Sequence, residues 1–309
     1  ENVLANAQSI AQYLSIDSTE RPITTLPMHY SFGLSVINSH LLKGATLLLT
    51  TRSLMEKEFW AFLKSEKATS LSGVPYTYEM LKRLRFFRMD LPYLKTLTQA
   101  GGKLNIELTK EFAEYCHETN KRFFVMYGQT EATARMSYLP YEQSLSKLGS
   151  IGIAIPKGTF QLIDEKNDEI KDDDKVGELV YSGPNVSLGY AECGADLILG
   201  DVNKGKLFTG DLAKKDVDNY YYIVGRKKRF IKLFGNRVNL DETERLLKNL
   251  MPDCACTGTD DKMVIYITEQ NRLDEVKKYI STKTGINHSA FMVKYIDVIQ
   301  KTNSGKKFF

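Results

Sequence analysis

The spacing of apolar positions changes character three times along the chain. In ENVLANAQSIAQYL (1–14), Val3, Leu4, Ala7, Ile10, Ala11 and Leu14 fall on one stripe at helical spacing. Between residues 45 and 127, short apolar runs alternate with helical patterns. ATLLLT (45–50), ATSLSGV (68–74), LKTLTQA (94–100) and RFFVMY (122–127) predict buried strands. MEKEFWAFLKSEK (55–67), YTYEMLKRL (76–84) and IELTKEFAEYCHET (106–119) predict helices, with Phe59, Phe62 and Leu63 inward in the first. Pro75 and the pair Gly101-Gly102 stop two of the strands. This alternation predicts a largely parallel sheet covered by helices.

After residue 149 the segments shorten. GTFQLID, VGELVYSG, KLFTGDLAKKD and YYIVG are separated by Gly, Asn and Asp turns, the pattern of a small antiparallel barrel or sandwich. EKNDEIKDDDK (165–175) reads as a charged hairpin tip. Beyond Gly225, strand-like RFIKLF, KMVIYIT (262–268) and FMVKYIDVIQ (291–300) alternate with helical LDETERLLKNL (240–250) and LDEVKKYISTKT (273–284). The pattern divides the chain into an α/β part (1–148), a β-barrel-like part (149–225) and a small α+β domain (226–309).

Bulk properties narrow the class. The 309 residues carry a net charge of +4, with basic residues scattered among acidic ones, so neither nucleic acid nor a membrane surface is an expected partner. No apolar run approaches the roughly 18 residues that span a bilayer, and the start has no signal-peptide pattern. Four cysteines are too few for a disulfide scaffold. They read as reduced structural thiols of a cytoplasmic protein.

Candidate chemistry lies at strand ends, where open α/β sheets bind ligands. The last predicted parallel strand runs into Tyr127-Gly128-Gln129-Thr130-Glu131. Gly128 lets the backbone approach a ligand, Thr130 can donate to a phosphate oxygen, Glu131 can hold Mg²⁺, and Tyr127 offers a face for a base. A purely structural turn explains this motif equally well. Asp211, after a Gly turn in KLFTGDLA, could accept from ribose hydroxyls. Arg226, Lys227, Lys228, Arg229 and Lys232 surround a predicted boundary and read either as a basic linker or as part of a site. Lys306 follows Ser-Gly in KTNSGKKFF, a solvated tail or a mobile amine.

Taken in order, these segments resemble the adenylate-forming superfamily of acyl- and aryl-CoA synthetases, peptide-synthetase adenylation domains and luciferases. TTLPMHYSFGLSVINSHLLKGATLLL is similar to its carboxylate-pocket segment, SGVPYTYEML to its GVP turn and QAGGKL to its adenine-side turn. YGQTE matches YGxTE, GELVYSGPNVSLGY matches GELxxxGxxxxxGY, and FTGDL matches YxTGDL. GRKKRFIKLFGNRV matches the GRxxxxIKxxGxR hinge segment, and KTNSGK matches PxTxxGK, with Gln300-Lys301 where the family prefers Pro-Arg or Pro-Lys.

The resemblance implies α/β, β-barrel and small α+β lid elements, the C-terminal part of an adenylate-forming fold. It implies ATP-dependent activation of a small carboxylic acid to acyl-AMP with pyrophosphate release. Transfer to CoA or to the phosphopantetheine of an acyl carrier protein would follow. Tyr127 and Gly128, with Gly101 and Gly102, would form the adenine slot. Thr130 would contact phosphate, Glu131 would hold Mg²⁺, and Asp211 and Arg226 would bind the ribose. Lys306 would offset charge as carboxylate attacks phosphate. Lys228 would be the hinge, and Lys232 and Gly235 would face the thiol channel after rotation. His29, Ser31, Phe32, Gly33 and Ala100 would line the acid pocket, although His29 alone also reads as a satisfied half-buried histidine. The absence of an Asp at Met28-His29-Tyr30 argues against an α-amino acid, and His29 favours fatty or aromatic acids.

The family's Gly/Ser/Thr-rich phosphate loop has no counterpart here. Such loops cradle phosphates with backbone N–H groups. The chain therefore reads as a C-terminal piece, truncated or paired with a separate chain, with poor activity alone. Its N-terminal sheet would expose an apolar surface prone to association. Two other readings stay open: a non-catalytic AMP- or acyl-AMP-binding module, and an interaction fragment.

Overall fold

The computed structural model describes residues 1–233, 236–248 and 250–300. It divides into one unit of Glu1–Thr209 with Ala213–Ile223, and a second of Gly210–Leu212 with the residues from Val224 onward.

In the first unit, α1 (Asn2–Tyr13) turns Ala7, Ile10 and Ala11 inward, but Val3 and Leu4 stand about half exposed. Only the C-terminal part of the predicted stripe therefore meets a core. α1 packs on α2 (Ser31–Leu41), where Ile10, Ala11 and Leu14 join Phe32 and Val36. The helix α2 was not among the expected elements. Its Ser, Gly and Asn content weakens the helical signal, and Ser35 and Ser39 return their hydroxyls to the carbonyls of Phe32 and Ser35.

The two-residue strand β1 (Pro22–Ile23) was also not among the expected elements; those that follow alternate as the sequence predicts: α3 (Lys57–Ser65), β2 (Ser70–Gly73), α4 (Pro75–Arg83), β3 (Thr96–Gln99), α5 (Ile106–Glu118) and β4 (Arg122–Tyr127). Strands β1, β2, β3 and β4 run parallel in that order. β5 (Ser137–Tyr138) and β6 (Ile153–Ala154) extend the sheet antiparallel. ATLLLT is not a full strand. Leu48 makes one parallel bridge to Ile23 at the sheet edge, and Leu49 is 59% exposed. A segment with a neighbour on one side only has no second ladder to hold it.

Phe59, Tyr78, Phe86, Phe112 and Phe123 fill the space between α3, α4, α5 and the strands, all essentially without exposure. Each buried aromatic contributes about 1.5–3 kcal/mol. This core fixes where β2, β3 and β4 end, and so where their carboxyl-terminal loops stand.

After β6 come β7 (Thr159–Ile163), β8 (Gly177–Ser182), β9 (Lys206–Lys215) and β10 (Tyr221–Arg226). They form a four-stranded sheet ordered β10-β9-β8-β7, with β7 and β8 antiparallel. The charged tip between β7 and β8 is largely exposed, although Ile170 within it is buried.

The second unit holds a hairpin of β11 (Phe230–Leu233) and β12 (Asn236–Asn239), then α6 (Leu240–Lys248). β13 (Cys254–Thr259) pairs antiparallel with β14 (Lys262–Ile267), and α7 (Leu273–Thr284) crosses over to β15 (Phe291–Tyr295), parallel to β14. β13 escapes a reading by alternation because Cys254, Ala255 and Cys256 are all buried. Arg229 pins this unit together. Its Nε lies 2.8 Å from Asp241, its Nη2 2.5 Å from Glu244, and its Nη1 donates to the Cys256 carbonyl.

Candidate active site

The carboxyl end of β4 is built around a tight return of the chain. A Cβ on Gly128 would fall 1.6 Å from the Ala134 carbonyl oxygen. The close approach that this glycine permits is therefore made by the protein's own backbone. Between them, Thr130–Ala132 form a 3-10 turn, and Thr133 and Ala134 follow at φ 52° and 101°. Two consecutive non-glycine residues in left-handed space cost on the order of 1–3 kcal/mol each and persist only when the surroundings fix them.

Those surroundings are specific. Asn185 donates to the carbonyls of Ala132 and Arg135, and accepts from Tyr181. Asn6 on α1 also donates to the Arg135 carbonyl. The Thr133 hydroxyl donates to the Asn185 carbonyl, and the Ser187 N–H donates to the Glu131 carbonyl. The result presents Thr130 and Glu131 at the rim, exposed and half-buried respectively.

Several expected residues meet here. The hydroxyls of Ser31 and Thr130 lie 3.0 Å apart, which joins the start of α2 to the end of β4. Glu131 accepts a hydrogen bond from Tyr190, which raises the Tyr190 phenol above its ordinary value. Tyr127 is half-buried, and Gln129 donates both to its hydroxyl and to the Thr209 carbonyl. Gly101 sits at φ +80°, where a Cβ would come within 2.6 Å of Tyr30 Oη. Gln99 donates to the Gly102 carbonyl at 2.8 Å, holding that turn.

The expected acid pocket is only partly assembled. Phe32 and Ala100 are buried in one cluster with Met126. Gly33 is buried because a Cβ there would meet the Pro27 carbonyl at 2.3 Å, which makes it a packing residue of the α2 start. His29 is exposed in the turn before α2, which does not fit a satisfied half-buried histidine.

In the second unit, Asp211 is 4% exposed and lies 3.2 Å from Arg226 Nε. Lys228 occupies the 3-10 turn that links β10 to β11. Lys232 is exposed on β11, its N–H bonded to Asp260. Gly235 and Lys306 lie outside the described residues.

Among the described residues no three His, Cys, Asp or Glu side chains gather to hold a metal. Glu131 offers a single half-buried carboxylate, which suits Mg²⁺ carried mainly by phosphate oxygens and water. The four cysteines are free, and Cys116, Cys254 and Cys256 are buried as expected of structural thiols, but Cys193 is exposed. No described helix is long and apolar enough to cross a membrane.

Three contributors were not anticipated: Arg135, Asn185 and Tyr190. Asn185 and Tyr190 sit inside quoted motifs whose glycines drew attention first. Arg135 had one available signal, a charge in an otherwise small and apolar segment, ATARMSY.

A family model described as "AMP-binding enzyme" matches residues 1–191. Feruloyl-CoA synthase from Amycolatopsis is 26% identical over 99% of this chain and 63% of its own length. Luciferin 4-monooxygenase from Photuris pensylvanica is 27% identical over 94% of this chain and 55% of its own. The structure of o-succinylbenzoate CoA synthetase from Bacillus subtilis with its acyl-adenylate intermediate superposes with a TM-score of 0.80. That match has 22% identity and covers 99% of this chain and 63% of the other, showing a shared fold of mixed sheets and helices. The chain thus spans less than two thirds of the length of these relatives.

Proposed function

We propose, for a chain that belongs to the AMP-binding enzyme family, that it forms the C-terminal part of an ATP-dependent ligase. The ligase activates a carboxylic acid as its acyl-AMP and passes the acyl group to a thiol. The observation that carries this reading is the strained, cross-braced turn after β4. It presents the Thr130 hydroxyl against Ser31, and the Glu131 carboxylate beside it. Structure is spent on holding a hydroxyl and a carboxylate at a strand's carboxyl end, where α/β sheets take ligands.

In this reading Thr130 donates to the reacting phosphate, and Glu131 takes one coordination position of Mg²⁺. Bound Mg²⁺ supplies charge neutralisation at the phosphates. Tyr127 stacks on the adenine, and the Gly101-Gly102 turn flanks it. Asp211, oriented by Arg226, accepts from the ribose hydroxyls. Lys306 offsets the charge that develops as the acid's carboxylate attacks the α-phosphate. The thiol belongs to CoA or to a carrier-protein pantetheine. For thiol transfer the small α+β domain, 226–309, rotates about Lys228, which brings Lys232 and Gly235 toward the channel. The parts 1–148 and 149–225, the second barrel-like, make the platform. Association through the N-terminal sheet surface belongs to the same proposal. We place the reaction in the cytoplasm, a reading supported by four cysteines that form no disulfide.

The test is acid-dependent pyrophosphate release with ATP and Mg²⁺ on the complete natural gene product, over fatty, aromatic and short-chain acids. Release with one acid class is the expected result. Measurable AMP binding with no release for any acid would favour the non-catalytic binding module.

A further inference from the structure

Glu131 is held at two points by one short segment of the loop after β8. The Ser187 N–H donates to the Glu131 carbonyl at 2.7 Å, and the Tyr190 hydroxyl donates to Glu131 Oε1. The first bond fixes the main chain of Glu131, and the second fixes its side chain. The other carboxylate oxygen, Oε2, has no hydrogen-bond partner among the described residues.

The segment that makes both bonds is itself anchored. The Asn203 side chain donates to the Ser187 carbonyl at 2.9 Å, and the Val202 N–H donates to the Leu188 carbonyl at 2.7 Å. Two residues upstream of Ser187, Asn185 accepts from the Tyr181 and Thr133 hydroxyls. The Tyr190 ring, by contrast, is 77% exposed. Burial therefore does not explain where this side chain stands, and its hydroxyl is what ties it to the rim. A half-buried Glu side chain left to itself samples several rotamers. Fixing one of them before a ligand arrives removes that ordering from the cost of binding.

Resting on the ligase reading, in which Glu131 takes one coordination position of Mg²⁺, we propose that Tyr190 is the positioning residue of that carboxylate. Its hydroxyl takes Oε1 and sets the rotamer, which leaves Oε2 as the oxygen offered to the cation. Carboxylates that ligate a metal are themselves hydrogen-bonded, and losing such a partner weakens the metal about 10- to 100-fold. Water reaches the exposed Tyr190 and can replace its hydroxyl in part, so the lower end of that range applies here.

The test follows ATP binding by calorimetry over a series of Mg²⁺ concentrations, on the complete gene product and without acid, so that no turnover occurs. Tyr190→Phe removes only the hydroxyl from an exposed ring. The expected result is about a tenfold rise in the Mg²⁺ needed for half-maximal ATP binding. AMP affinity without metal and the melting temperature should stay as in the wild type, whereas a merely structural role would lower both. Tyr190→Ala should match Tyr190→Phe, because the hydroxyl and not the ring carries the effect. An unchanged Mg²⁺ requirement in Tyr190→Phe overturns the proposal and leaves the ligase reading standing. A lower requirement also overturns it, by showing that the hydroxyl competes with the cation. An unchanged requirement in Glu131→Gln overturns it by removing the metal from Glu131. If Tyr190→Phe shows the shift but no acid releases pyrophosphate, the ligase reading fails and the positioning role stands.

Discussion

Asp211, almost wholly buried, is held 3.2 Å from the half-exposed Arg226 side chain. The carboxylate is thereby oriented, while the guanidinium stays open to water. Replacing Asp211 with Ala should weaken AMP binding about tenfold or more by calorimetry, through loss of an ionic acceptor. Arg226→Ala should cost less, because an exposed partner is screened by solvent. Unchanged affinity in Asp211→Ala would remove that residue from the ribose site.

Gly128→Ala should be strongly destabilising. The added methyl would meet the Ala134 carbonyl oxygen at 1.6 Å, and Ala134 is kept in place because Asn6 and Asn185 hold the carbonyl of the next residue, Arg135. Overpacking of this kind costs about 1–3 kcal/mol or more. A denaturant midpoint equal to wild type would show that the return from Gly128 to Ala134 is softer than described.

Arg229→Met should destabilise the second unit by about 2 kcal/mol. The change takes the arginine away from the largely buried Glu244 carboxylate, 13% exposed, which keeps the Cys256 N–H as a donor, and from the Cys256 carbonyl. Amide hydrogen exchange should rise across α6 and β13 in the variant. Exchange confined to the mutated turn would argue against a bracing role.

Thiol chemistry separates the cysteines. At pH 8 a disulfide reagent should modify Cys193 rapidly and the other three only on unfolding, and Cys193→Ser should leave no fast thiol. Two or more fast thiols in the native wild type would contradict the burial of the remainder.

Cys116 also gives a pH dependence. Burial pushes its thiol up to about 12, partly offset by Lys121. An unfolded thiol ionises near 8.5–9. The folded state thus keeps a proton that the unfolded chain releases, so this contribution is intact below about pH 9 and shrinks as pH rises toward 12. Unfolding free energies measured between pH 9 and 11 should fall less steeply in Cys116→Ala than in wild type, by up to about 1.4 kcal/mol per pH unit. Parallel slopes would exclude Cys116 as a contributor.

Much of the alternation from 55 to 127 was legible because each helix carries one apolar face and each strand is a short apolar run. RFFVMY and β4 agree in both ends. The α2 helix was hidden because Ser, Gly and Asn satisfy its geometry through side-chain and packing contacts that a periodicity does not encode. β13 was hidden because burial on both faces removes alternation. In the site, Thr130 and Glu131 stood out as polar residues closing an apolar run. Gly128 also stood out, but a sequence carries no information about which atom its missing side chain makes room for. Arg135 went unread because its burial over Phe32 and beside Tyr13 and Met126 is a property of the folded interior alone.

Helix α1 has a mechanical consequence. Asn2 donates to the carbonyls of Pro184 and Val186, Asn6 to that of Arg135, and Ser9 to that of Pro156. Tension along this helix would load the loop after β4, which holds the strained Thr133-Ala134 pair, and the loop after β8 at once. Under force the turn that presents Glu131 should yield before the parallel strands part, so that α1 acts as a cord whose slackening disarms the site while the sheet still stands.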